Sequence, residues 1–148
     1  MLKTKELFVY KTKLISESTE KIIELHDFID NIEDIDKKMI KIRSPKFKLA
    51  GVDFTIDVYP DCREVGYPGY IGVSLRNHSY EDQTTSISFK EASGKEDSRA
   101  MGKVEAGKKI GFFQFLSHKS YRRWAKDHGD VLKLEVVVTL HSPPGWTR

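Results

Sequence analysis

Residues 44–60, S-P-K-F-K-L-A-G-V-D-F-T-I-D-V-Y-P, leave the chain little choice of local structure. Phe54, Ile56 and Val58 alternate with Asp53, Thr55, Asp57 and Tyr59. In an extended segment that period of two puts the aliphatic set on one face and the polar set on the other. The pattern predicts a half-buried strand. Pro60 has no N–H for a sheet ladder and ends it, while Gly51 permits the tight turn that folds residues 47–49 back alongside. A hairpin of this kind needs further strands to cover its apolar face.

The chain supplies them at short intervals. Ile71, Val73 and Leu75 alternate with Tyr70, Gly72, Ser74 and Arg76, and residues 84–89 are rich in β-branched and aromatic types. A weaker strand is predicted over 98–105, followed by a glycine-flanked basic loop over 106–111 and an apolar segment with Phe112, Phe113 and Phe115. Leu132, Leu134, Val136, Val138 and Leu140 mark a long closing strand. Ser117 is a good N-cap, Ser120, Tyr121, Trp124 and Ala125 follow at helical spacing, and Gly129 is placed to stop a short helix. Loop chemistry fills 61–69, and Gly94 is the expected φ-positive residue of a turn over 91–97.

Near the start the pattern is ambiguous. Ile22, Leu25, Ile29 and Ile32 fit a helical stripe, whereas Ile23, Leu25 and the break at Asp27 fit a short strand and turn. Residues 16–19 read as turn-like, and Met39, Ile40 and Ile42 as a short strand. Residues 7–15 fit either an extra edge strand or an N-terminal arm. About eight short strands, one late helix and no strand–helix alternation predict an all-β antiparallel sandwich.

At 148 residues this is one domain's worth of chain. No apolar run approaches the roughly 18 to 20 residues of a membrane span, and M-L-K-T-K-E lacks a signal peptide's apolar core. A single cysteine, Cys62, cannot close an internal disulfide, which suits a reducing compartment. A cytoplasmic or nuclear protein is expected. Catalysis is not: His26, His78, His118, His128 and His141 are scattered, and no spacing typical of a metal, phosphate-loop or nucleophile motif occurs. Neither cofactor nor metal is expected, and Cys62 has no nearby histidine in sequence to activate it.

Two words carry a resemblance. S-P-x-F followed by an alternating strand ending V-Y-P resembles the opening of the meprin and TRAF homology (MATH) domain, a TRAF-like β-sandwich. The Y-I-G-V-S-L strand, G-F-F-Q-F-L before a short helix, and a final L-K-L-E-V strand follow in that family's order. So does I-x-L-x-D-F-I, which resembles the family's opening strand with Ile23 in place of the customary Trp. This implies a strand over 21–26 with a helical turn over 28–36, a domain over 21–142, an extension or edge strand over 1–20, and a tail over 143–148.

The resemblance implies a non-enzymatic interaction module that binds a short extended peptide along a sheet edge, as substrate-recognition or adaptor domains do in signalling and ubiquitin-related machinery. A catalytic domain could flank it in a longer parent. The family's groove word D-W-G-F corresponds here to Lys109, Ile110, Gly111 and Phe112, and Tyr70 falls at a position that is often aromatic. Lys109 and Ile110 replace Asp and Trp, so the local charge is reversed and an acidic or phosphorylated peptide partner suits Lys108 and Lys109 better. The same residues fit a plainer reading, with Ile110 and Phe112 in the core and the lysines solvated. With no heptad repeat before Lys21, a monomer is expected. A competing function is nucleic-acid or anionic-membrane binding through the basic segment from Lys108 to Lys126, where Tyr121 and Trp124 accompany Lys119, Arg122 and Arg123.

Overall fold

The computed structural model describes residues 16–33, 41–91 and 97–141. Within them two antiparallel sheets pack face to face. Strands β1 (Ser16–His26), β9 (Val131–His141), β6 (Gln83–Glu91) and β7 (Asp97–Val104) form sheet A in that spatial order. Sheet B runs β2 (Ile42–Arg43), β4 (Val52–Tyr59), β5 (Tyr70–Asn77), β8 (Lys109–Ser117), with β3 (Phe47–Leu49) also pairing β4. Helix α1 (Phe28–Glu33) follows β1, and α2 (His118–His128) lies between β8 and β9. The all-β sandwich and the late helix are as expected, with nine strands among the described residues. The anticipated elements at 7–15 and 143–148, the turn around Gly94, and Met39 and Ile40 lie outside the described residues.

The hairpin forms as its residues dictate. Ala50 and Gly51 turn with φ of 49° and 79°, and Leu49 comes to lie opposite Val52. The S-P word has a specific job. Pro45 cannot extend the ladder between β2 and β3, so Ser44 spans the gap: its N–H donates to the Ile56 carbonyl at 2.9 Å, and its Oγ accepts the Ile56 N–H at 2.9 Å. Phe54, Ile56 and Val58 then face Ile71, Val73 and Leu75 of β5 along one inner face, and Leu132 to Leu140 of β9 line the other. Each such side chain contributes roughly 1.5 to 3 kcal/mol when removed from water.

One end of the sandwich is closed by the helices. Ser117 caps α2 by accepting the Ser120 N–H at 3.1 Å, and Gly129 ends it by donating to the Ala125 carbonyl at 2.8 Å. Tyr121 is buried and packs edge-on against Phe28 of α1, ring centres 5.5 Å apart. Its hydroxyl donates to Asp130 at 2.6 Å, and Asp130 also accepts the Ile29 N–H at the start of α1. Burial, then this carboxylate, pushes the Tyr121 phenol far above its ordinary range.

Three sequence expectations are corrected. Residues 16–19 are strand rather than turn, because β1 pairs with β9 along eleven residues and the ladder overrides the weak strand preference of small polar side chains. The basic loop ends at Lys108: Lys109, Ile110 and Gly111 belong to β8, paired with Arg76, Leu75 and Ser74. The polar face of β4 is not solvated, since Thr55, Asp57 and Tyr59 are as buried as the aliphatic face.

Candidate peptide-binding edge

Strand β8 is the last strand of sheet B, pairing with β5 on one side and with no strand on the other among the described residues. A row of backbone N–H and C=O groups on that side is therefore available to another extended chain. The chain reaches β8 from β7, the edge of sheet A, through the short turn 105–108. Asn77 holds that turn, donating its N–H to the Lys108 carbonyl and accepting the Gly107 N–H. Both edge strands thus border the same side of the sandwich. Inward-facing positions of β7 are small there, Ala100 and Gly102 lying opposite Ile87 and Thr85. On β8, Ile110 and Phe112 are half-buried, with Phe112 edge-on to Phe89 at 6.0 Å.

Lys109 and Gly111 point to the outer face. Lys109 is exposed yet lies across the face: its Nζ lies 4.8 Å from the ring centre of Tyr59 and 5.3 Å from that of Phe113, and donates to the Tyr59 hydroxyl at 3.1 Å. It crosses a depression floored by Ser74 and Gly111, which lie opposite one another on β5 and β8. A Cβ on Gly111 would collide with the Val73 carbonyl and Ser74, so this close approach requires glycine. Tyr70 is not part of this cluster. It pairs with Ser117 while Arg76 pairs with Lys109, so six residues of strand, roughly 20 Å, separate it from Lys109. The candidate residues therefore form one contiguous group, 109–112, and one outlier.

The outer face beside the group holds a network with no recognisable sequence motif. Asp57, fully buried, accepts from Arg43 Nε at 2.9 Å and Nη2 at 3.2 Å, from Arg76 Nε at 3.4 Å, and from Thr55 Oγ1 at 3.4 Å. The pairing stabilises a charge that would be costly alone, and the hydrogen bond to Asp57 raises the Arg43 guanidinium pKa further. His78, whose Nε2 lies 2.7 Å from the Thr55 hydroxyl, is shifted downward by burial and then by Arg43, Lys46 and Arg76, against a weaker upward pull from Asp57. The field here is cationic. A faint signal was readable beforehand, the small residues Gly72, Ser74 and Gly111 on two otherwise bulky strands.

Cys62 is buried behind Gly72, whose missing Cβ leaves room for the thiol. Burial, and then Asp61, pushes its pKa up to about 11, the opposite of what a nucleophile needs. The histidines serve separate local contacts, His118 with the Pro60 carbonyl, His128 with the Trp124 carbonyl and His141 with Ser86. On α2, Tyr121 is buried and Trp124 half-buried, while Lys119, Arg122, Arg123 and Lys126 are solvated. Lys109 and α2 lie at opposite ends of β8, roughly 25 Å apart, so the basic segment is two patches.

No protein-family model and no curated protein sequence matches this chain. Fold and edge define an all-β sandwich with an open, cation-flanked strand. Among the described residues no helix is long and apolar enough to cross a membrane.

Proposed function

We propose that this chain is a MATH-type, TRAF-like recognition domain that binds a short extended peptide by strand addition along β8, without catalysis of its own. The observation that carries the reading is the open edge itself, with residues 109–112 on it. A peptide strand there would gain main-chain hydrogen bonds, with Ile110, Phe112 and Ala100 offering apolar contact on its inward side. Lys109 on β8, with Arg76 beside it on β5, flanks its outward side, which favours acidic or phosphorylated side chains. The burial of Tyr121 and the division of the basic segment weaken the nucleic-acid and membrane reading, because α2 offers one half-buried ring, Trp124, instead of two, and its cations are separate from those at Lys108 and Lys109. Within the proposal the domain acts as an adaptor or substrate receptor in cytoplasmic or nuclear signalling or ubiquitin-linked assemblies. Affinity is of micromolar order, about −8 kcal/mol.

Binding to an array of acidic, phosphorylated and neutral peptides, repeated with Lys109→Asp, tests this. Selective binding of acidic peptides, weakened about tenfold by the substitution, is expected. Failure to bind any peptide, together with salt-sensitive capture of RNA or anionic vesicles, would transfer the function to α2.

A further inference from the structure

The outward face of sheet A is exposed and is used by neither β8 nor the helices. Cross-strand register orders its side chains into rows. One row runs Glu20, Val137, Ser88, Arg99 across β1, β9, β6 and β7. The next runs Ile22, Glu135, Lys90, Asp97, and the row on the other side Ser18, Thr139, Ser86, Met101. Between β9 and β7 the serines of β6 leave a shallow hollow of about 390 Å³, lined by Ser86, Ser88, Arg99, Met101, Val137 and Thr139. Three of the large exposed apolar side chains, Ile22, Met101 and Val137, lie on this face.

We propose that this face binds a second copy of the chain, related by a two-fold axis lying in the interface and running parallel to the strands between β9 and β6. The charges argue for that partner. Rotation about this axis places β1 over β7 and β9 over β6 of the other copy. Glu20 then meets Arg99, and Glu135 meets Lys90, each twice by symmetry. Val137 falls opposite Ser88, so the apolar knob of each copy enters the serine-floored hollow of the other, and Thr139 falls opposite Ser86. On the same strand pair Ile22 comes over Asp97 and Ser18 over Met101, contacts that add little attraction and leave the charge pairs to hold the face. Arg99 keeps its contact to Asp97 at 3.1 Å, and Lys103 its contact to Asp82 at 3.5 Å, so both acids stay at the rim.

Size sets the strength. Four strands at roughly 4.8 Å spacing and about eight residues in length cover on the order of 500 Å² per copy, or about 1,000 Å² in total. That is the area of a weak, reversible contact. It differs from the coiled-coil route whose absence led to the expectation of a monomer, and it leaves the β8 edge of each copy open.

Sedimentation equilibrium of the 148-residue chain, from micromolar to millimolar concentration at low and high salt, tests this together with two charge-swap variants. Wild type is expected to dimerise with concentration, less at high salt. Glu20→Arg with Glu135→Lys, or Arg99→Glu with Lys90→Glu, is expected to weaken self-association at least about tenfold. Mixing the two variants should restore a heterodimer, an outcome that misfolding cannot produce. A wild-type monomer throughout the range, a dimer unaffected by either swap, or a mixture no heavier than its natively melting components would each overturn the proposal.

Discussion

The two sheets treat their outward faces in opposite ways. On sheet A, β9 alternates without interruption: Leu132, Leu134, Val136, Val138 and Leu140 are buried, and Lys133, Glu135 and Val137 are exposed. On sheet B the strand with the same alternation, β4, is buried on both sides. Nothing in the periodicity separates them. The difference comes from neighbours in space, because Arg43 of β2 and Arg76 of β5 close on Asp57 from either side, and the small Ser74 and Gly111 let Lys109 lie across to Tyr59. A polar residue on a strand is thus solvated only if the adjacent strands leave nothing to cover it.

The largest test removes Asp57. Without it Arg43 and Arg76 keep their positions without their counter-charge, and a loss of about 3 kcal/mol is expected. Glu135→Ala, the corresponding position on β9, should change stability by no more than about 0.5 kcal/mol. Urea unfolding of both variants measures the contrast, and equal losses would dissolve it. Glycines sharpen the same comparison. Gly111→Ala forces a methyl group into the Val73 carbonyl and Ser74, at an expected cost of about 2 kcal/mol. Gly102→Ala on β7 meets open space and is expected to gain about 0.5 kcal/mol. Thermal melts of the pair decide this, and a destabilised Gly102→Ala would show that sheet A is tighter than its contacts indicate.

The smallest effect is in pH. His78 in the folded chain holds its proton less well than in the unfolded chain, where the value is near 6.5, because of burial and then Arg43, Lys46 and Arg76. Below that value the unfolded state binds more protons. The contribution to stability is therefore complete above about pH 6.5 and is lost as pH falls through the lower folded value. Unfolding midpoints at about pH 7.5 and about pH 5.5 should fall less in His78→Gln than in wild type. Identical pH dependence would remove His78 from the covered face.

Much of the fold was readable because its signals are local. Ser117 as cap, Gly129 as stop and Gly51 as turn act through their own backbone geometry, and each behaves accordingly. The ambiguous start is resolved by distance instead. The chain is strand up to His26 and helix from Phe28, and the helix start is held by Asp130, a carboxylate 101 positions away in sequence. Of the candidate edge, residues 109–112 were legible as one word, but not that Lys109 would lie across two rings, nor that Tyr70 would sit on β5 beside the far end of β8.

What the chain determines on its own is its alphabet of elements: short alternating strands, turns at glycine and proline, one capped helix, and hence an antiparallel sandwich. Only the tertiary structure decides which strands become edges, which polar face is covered, and which charges confront each other across four strands. The physical reason is range. Periodicity and capping are settled within a few residues, whereas burial and electrostatic pairing depend on groups that the sheets bring together from tens of residues apart.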